Sequence, residues 1–325
     1  MGTRGRYKKQ VFQGNNKFWL NGRWITGPDY WNGILLLITI LVASALYFPA
    51  AFIWLIQERP AAGIPLLVIS LLLVIASMTT LILAYSSDPG IIPRGEEVED
   101  RDEDVYMENR TIQVNGVSLK MKYCETCKIW RPPRASHCSI CNNCVEKFDH
   151  HCPYLSNCVG RRNYRLYFSF VSISATMCVV VIGTSLLSII WKAVVYQLDD
   201  GLDAGQATLA SFNNSGAWSL IPVMLLAILA GAFTGFLTFF HLHLMYINNS
   251  TSEKFKGTYT QAGENPYARK GCSNIAYSLF SKKPPSKIKA DYTGPTWSWP
   301  EECEVTENGR VLHSHTTPET EKSVP

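Results

Sequence analysis

Charge is scarce in this chain. Asp, Glu, Lys and Arg make up 17% of its 325 residues, against roughly 25% in soluble domains. The deficit is concentrated: residues 31–55, 63–84, 166–191 and 218–247 contain none of the four. A helix needs about 20 apolar residues to cross a hydrocarbon core, and each segment exceeds that. The reading is therefore an α-helical integral membrane protein with four transmembrane helices, not a soluble globular one. Because no span carries an acidic or basic residue, a channel or transporter is disfavoured, since such residues mark ion pathways. Internal repeats are also absent. Residues 1–30, mostly polar, precede the first apolar run, which is too long a leader for a cleavable signal. The net charge is only +4, and it sits where a membrane explains it, so no nucleic-acid partner is expected.

Lys and Arg decide the orientation. The segment before the first span has six, the loop 85–165 has twelve and the tail 248–325 has ten. The loops 56–62 and 192–217 have one each, Arg59 and Lys192. By the positive-inside rule, both termini and the middle loop face the cytosol, and 192–217 is lumenal. The chain then divides into a cytosolic N-terminal segment (1–30), helices 1 and 2 (31–84), a cytosolic loop (85–165), helices 3 and 4 (166–247), a cytosolic C-terminal region (248–290) and a tail (291–325). Arg59-Pro60 and Gly63 read as a short turn between the first two spans. Residues 96–104 are almost all acidic and read as a solvated linker. Residues 111–123 alternate weakly and predict a hairpin turning at Asn115-Gly116. Beyond 284, Pro, Ser, Thr, Glu and Lys dominate and predict disorder.

The window 124–158 is different in kind. It holds seven of the ten cysteines and three of the seven histidines. A segment this short needs staples to fold, and in a reducing cytosol metal is a better staple than disulfides. Cys124-x2-Cys127 and Cys138-x2-Cys141 are knuckles of zinc type. His137, Cys144, His150, His151, Cys152 and Cys158 complete ten candidates. Two tetrahedral zincs use eight, leaving a spare Cys and His beside an Asp. Asp149, His150 and Cys152 are then the types a nucleophilic thiol needs: a base, and a carboxylate to orient it. A single metal site with loose extra ligands is the alternative on spacing alone. A RING-type ligase is disfavoured, because its central spacing is longer.

From Cys124 to Cys158 the pattern C-x2-C-x9-H-C-x2-C-x2-C-x4-D-H-H-C-x5-C resembles the DHHC family of protein S-acyltransferases. Asp88-Pro89-Gly90, Asn265-Pro266-Tyr267 and Gly271-Cys272-Ser273-Asn274 resemble its further elements. The N-terminal segment and tail are similar to the branch that acts on Ras-like GTPases with a small accessory subunit. The resemblance implies one zinc on Cys124, Cys127, His137 and Cys144, and a second on Cys138, Cys141, His151 and Cys158. It implies Cys152 as the acylated nucleophile, His150 as its base and Asp149 as the orienting carboxylate. Palmitoyl-CoA would be the donor, membrane-associated proteins with cytosolic cysteines the acceptors, and the Golgi or endoplasmic reticulum the location. The sequence departs from the family at Tyr154 (usually Trp), at Leu155-Ser156 (commonly Val-Gly or Val-Asn) and at Ser250, the first position of TTxE. Thr251 is kept and is implied to bond near the catalytic Asp. A zinc-stabilised membrane scaffold without turnover is the competing class.

Arg131, Arg134, Arg161, Arg162 and Arg165 are candidates for the phosphates of CoA. His241 and His243 in the fourth span point to different faces and read as satisfied or interfacial. Cys178 reads as packing, Cys272 reads as an ordinary juxtamembrane cysteine with an extra acylation site as the alternative, and Tyr277 to Phe280 read as part of an amphipathic stretch on the membrane.

Overall fold

The computed structural model describes residues 12–95, 111–213, 217–259, 265–288, 304–305 and 311–312. The acidic run 96–104 and most of the tail 291–325 lie outside the described residues. Four helices are long and apolar enough to cross a membrane: α1 (Trp31–Glu58), α2 (Pro60–Tyr85), α3 (Tyr164–Asp199) and the last span, Ala217–Tyr246. The chain is thus built as a multi-pass membrane protein. In chain order α4 (Ala204–Asn213), α5 (Leu220–Tyr246), α6 (Thr251–Lys256) and α7 (Gly271–Phe280) follow.

Two boundaries differ from the sequence reading. No loop spans 56–62: α1 runs to Glu58, Arg59 alone breaks the helix (φ −141°, ψ 65°), and α2 starts at Pro60. Proline at the first helical position costs no hydrogen bond, because that N–H has no helical acceptor. The second difference is at Lys192. The segment 192–217 is not an open loop: α3 continues to Asp199 and α4 follows. Lys192 is fully buried, so a described span does carry a basic residue.

The bundle core mixes apolar residues such as Phe52, Leu55 and Leu220 with small and polar ones. Tyr47 Oη lies 2.5 Å from Thr184 Oγ1 and 3.2 Å from Ser70 Oγ. Ser77 and Ser174 bond to each other at 2.9 Å. Cys178 packs in this core, as expected, and a Cβ at Gly231 would sit 3.0 Å from its Cβ. Lipid tails give helices no hydrophobic reason to associate, so small residues and interhelical hydrogen bonds hold them instead. Outward positions stay apolar, as with Leu72, Val179 and Leu229.

The cysteine-rich region between α2 and α3 is a set of short antiparallel ladders. Residues 123–124 pair with 129–130, 136–138 with 143–145, and 150–152 with 157–159. Ile91–Ile92 adds an edge to the second ladder. The expected hairpin is present: Thr111–Val114 pairs with Val117–Lys120. Its turn residues have φ +48° (Asn115) and +81° (Gly116), the left-handed pair that a type I′ turn requires.

Three buried amides and acids fasten this region to the bundle. Asn157 Nδ2 donates to the carbonyls of Tyr85 (3.1 Å) and Ser87 (2.9 Å). Asn163 Nδ2 donates to Cys158 O, and its Oδ1 accepts from Gly160 N. Asp88 Oδ1 accepts from the amides of Gly90 and Ile91, while Oδ2 meets Arg162 Nε at 3.1 Å and Ser286 Oγ at 2.5 Å. Ser286, Lys287 and Ile288 are thus docked: Lys287 pairs with Glu146 and Ile288 is buried. The expected disorder after 284 does not hold for these residues, because their side chains find partners on the cysteine-rich region.

Candidate active site

Strand geometry separates the ligands. Successive side chains on a strand point to opposite faces, so neighbours His137 and Cys138 go to different clusters. One cluster is Cys124, Cys127, His137 and Cys144; the other is Cys138, Cys141, His151 and Cys158. His137 stands directly across its ladder from Cys144, and His151 across from Cys158. Within each cluster the ligand atoms lie within 4.8 Å of one another. His137 Nδ1 is 3.4–3.9 Å from its three sulfurs, and His151 Nδ1 is 3.4–3.8 Å from its own. Zinc bonds of about 2.3 Å to sulfur and 2.0–2.1 Å to nitrogen, at the tetrahedral angle, put S and N about 3.6 Å apart. Both clusters fit zinc on that test. His151 Nε2 also meets Asp29 Oδ2 at 3.2 Å, the carboxylate that orients a metal-bound imidazole. Asp29 was not legible in the sequence, since it lies 122 residues away.

The same alternation turns His150 and Cys152 to the face opposite His151. His150 Nδ1 bonds Asp149 Oδ2 at 2.7 Å, and Cys152, two residues along the same strand, lies near enough to act on the ring electrostatically. Asp149 is almost fully buried and is held by four groups. Thr251 Oγ1 donates to Oδ2 at 2.7 Å and Thr251 N to Oδ1 at 2.9 Å. Ser252 N donates to its carbonyl, and its own N–H reaches Val159 O. Burial opposes the charged imidazole of His150, but Asp149 and Cys152 outweigh it and raise its pKa to about 9. Asp149 is likewise penalised by burial, yet hydrogen bonding and charge from His150 keep its carboxyl below the usual range.

Cys152 sits at the junction of ladder and bundle. It is buried with Leu81, Leu155, Val159, Tyr167, Phe170 and Val171, against Leu36, Leu37 and Leu237. His150 packs edge-on against Tyr167 at 5.1 Å. Behind it lies His241, whose Nδ1 and Nε2 bond the Tyr164 and Tyr167 hydroxyls at 3.1 Å each. His241 is thus satisfied, as expected, but beside the His150 ring; a polar residue inside a span was its only sequence signal.

The departures have local explanations. Ser250 caps α6 through a capping box: its Oγ accepts from Glu253 N, and its own N–H donates to Glu253 Oε2. Serine and threonine both serve there, so the N-cap survives the departure. Ser156 has φ +49°, a conformation that glycine and asparagine adopt more readily. Its Oγ accepts from Gly33 N at 2.8 Å and its carbonyl from Gly27 N at 2.6 Å. Tyr154 is exposed and lies 5.8 Å from the Phe233 ring of α5.

The five arginines separate. Arg134 does not face a ligand cavity: it is buried in a bidentate pair with Glu253 (2.6 and 2.7 Å), donates to Asn248 and lies 4.8 Å over Tyr267. Arg162 is buried on Asp88 and Pro284 O, and Arg131 contacts Lys122 O at the surface. Only Arg161 and Arg165 line the cavity of about 640 Å³ beside Asp149. The sequence reading missed Lys147, Lys282 and Lys283, which line it too. Burial and the nearby Arg134 push the Lys147 ammonium down to about 7. The C-terminal region closes this cavity. Gly271 lets α7 lie on α5, since a Cβ there would be 2.4 Å from the Tyr246 ring, and Asn274 bonds Tyr246 O. Cys272 is exposed on α7.

Asp149, His150 and Cys152 thus sit together on a scaffold of two Cys/His clusters that suit zinc, beside four helices apolar enough to cross a membrane. A family model described as DHHC palmitoyltransferase matches residues 118–258. The chain is 36% identical to Protein S-acyltransferase 8 of Arabidopsis thaliana over 298 residues, covering 86% of this chain and 70% of that one. It is 34% identical over 323 residues to Probable protein S-acyltransferase 1 of the same plant, covering 93% and 88%. The chain belongs to the DHHC palmitoyltransferase family.

Removing the Thr251 hydroxyl isolates one support of the triad. Thr251→Val keeps the backbone donor and loses the 2.7 Å bond to Asp149. A hydrogen bond to a charged group is worth about 1.5–3 kcal/mol. The expected result is a roughly 10- to 100-fold lower acylation rate at unchanged zinc content, with Thr251→Ser restoring it.

Proposed function

We propose that this protein moves a palmitoyl group from palmitoyl-CoA, through an acyl-Cys152 intermediate, to cysteines of membrane-associated proteins. The observation that carries this reading is His150 bonded to Asp149 at 2.7 Å and sharing a strand face with Cys152, which is buried among apolar residues at the end of the bundle. His150 takes the proton of Cys152 and holds it as imidazolium, steadied by Asp149. The Cys152 sulfur then forms a bond to the thioester carbonyl carbon, and the carbon–sulfur bond to CoA breaks. The CoA sulfur leaves with the proton from His150. In the second half the acceptor cysteine gives its proton to His150, its sulfur takes the acyl group, and Cys152 leaves as a thiolate. Thioester replaces thioester, so positioning does most of the work. The eight ligands above would hold two zincs, which would serve structure by fixing the ladder that carries His150 and Cys152.

Both halves of the donor have a place. The acyl chain lies among the apolar residues around Cys152, where burial is worth about 0.8 kcal/mol per CH2. The phosphates lie in the basic cavity with Lys147, Arg161, Arg165, Lys282 and Lys283. Arg165→Ala raises the KM for palmitoyl-CoA several-fold and leaves kcat nearly unchanged. Lys147 gives this site a pH dependence: it is charged below about 7, so KM rises as pH climbs above 7. Lys147→Met flattens that rise. Initial rates of CoA release between pH 6 and 9 check both outcomes; a KM independent of pH and of Arg165 would remove the phosphates from this cavity.

Both termini are cytosolic in this reading, by the loop charges, and the membrane is that of the Golgi or endoplasmic reticulum. Ras-like GTPases as acceptors, and a small accessory subunit, rest on the N-terminal segment and tail alone. Transfer of label to a Ras-like GTPase, with and without such a subunit, tests that narrower assignment.

A further inference from the structure

The end of the bundle away from Cys152 holds a buried cation that acyl transfer does not use. Lys192 is 0% exposed. Its ammonium makes one hydrogen bond, to Ala50 O at 3.3 Å, and lies 5.6 Å from the Trp54 ring centre. An ammonium has three donors, so two remain unused. No carboxylate among the described residues forms an ion pair with it. Lysines near helix ends usually extend their charge to the interface, and this one turns inward. A charge within a membrane that lacks a counter-charge is costly and marks a functional position.

Lys192 lines a cavity of about 490 Å³ between α1 and α3. Gln57, Tyr196 and Ser219 supply further polar groups to its wall. Pro49 also lines it and has no N–H, so the Ala45 carbonyl in the same wall lacks its helical donor. The other walls are apolar, and two of them, Leu46 and Ile53, are also 44% and 59% exposed on the outer face of the bundle. The cavity therefore continues onto the surface that hydrocarbon covers. Its rim is polar at exposed Gln57 and apolar at Leu46 and Ile53, which matches a lipid with a polar headgroup and apolar chains.

We infer that this cavity binds the headgroup of an anionic phospholipid, with Lys192 as its counter-ion and the acyl chains on the outer face of α1 and α3. The phosphate takes the free ammonium donors, and headgroup hydroxyls face Ala45 O and Gln57. The test is thermal unfolding of the full chain, delipidated in neutral detergent, with phosphatidylglycerol, phosphatidylcholine or inorganic phosphate added. Phosphatidylglycerol raises the Tm of the wild type in a saturable way; the other two, at equal concentration, do not. Lys192→Met weakens the apparent phosphatidylglycerol affinity roughly tenfold or more, a loss of about 1.4 kcal/mol or more. Ala45→Trp keeps the lysine, fills the cavity and abolishes the effect, so the result does not hang on one variant folding. Equal stabilisation of both variants, stabilisation by phosphate alone, or none by phosphatidylglycerol each overturns the assignment.

Discussion

Stripping zinc from the purified protein with a chelator abolishes acylation and unfolds the cysteine-rich region. The expected effect is the largest in the molecule, because structural zinc sites carry about 10–16 kcal/mol of folding free energy at pH 7. The ladders they hold are only two or three residues long, and such strands are not stable alone. Interleaving makes the loss spread. His137 belongs to one cluster and Cys138 to the other, so emptying the first site loosens the strand that serves the second. His137→Ala is therefore expected to lower zinc from two per chain to one or fewer and to stop turnover, although His137 does not touch Cys152. Metal analysis with thermal unfolding checks this. Two retained zincs with lost activity would point instead to a direct role for His137.

Glu253→Ala is expected to be the most damaging single change outside the metal ligands. Arg134 and Glu253 are 8% and 7% exposed, and removing one partner of a buried pair costs about 3–5 kcal/mol. Burial opposes the Glu253 carboxylate, but Arg134 more than compensates and lowers its pKa. The same carboxylate completes the capping box on Ser250 and accepts from Tyr259 Oη at 2.8 Å. That cap fixes Thr251, and Thr251 fixes Asp149, so stability and turnover fall together. Glu253→Gln keeps the neutral hydrogen bonds and falls between. Replacing both partners by methionine costs less than Glu253→Ala, because no orphaned charge remains. Thermal unfolding of the three variants checks the order.

The spans and the site were legible in the sequence for different reasons. Twenty apolar residues in a row have few other uses, so the helices showed through composition. The ten candidate ligands showed because knuckle spacings such as Cys124-x2-Cys127 are local, whereas their division into two sets came from the family resemblance and not from spacing. Helix limits were less clear. The uncharged window stopped at Lys192, yet backbone hydrogen bonding ignores side-chain charge and α3 runs on to Asp199. Pairings across long chain distances were not legible. Asp29 on His151, and Arg134 on Glu253, join residues 122 and 119 apart. For the second pair one signal existed. Ser250-x-x-Glu253 is a capping box, which places Glu253 at a helix start but does not name its arginine.

The central claim is that Cys152 carries the acyl group. The direct measurement is peptide mass spectrometry of the full protein after incubation with alkyne-tagged palmitoyl-CoA, with and without neutral hydroxylamine, in wild type and Cys152→Ser. The account predicts one hydroxylamine-labile palmitoyl group on the peptide containing Cys152, absent in the variant, with two zincs per chain in both. A label that persists in Cys152→Ser, or a zinc-loaded wild type that takes no label even with an accessory subunit added, would contradict it, the second outcome leaving a membrane scaffold.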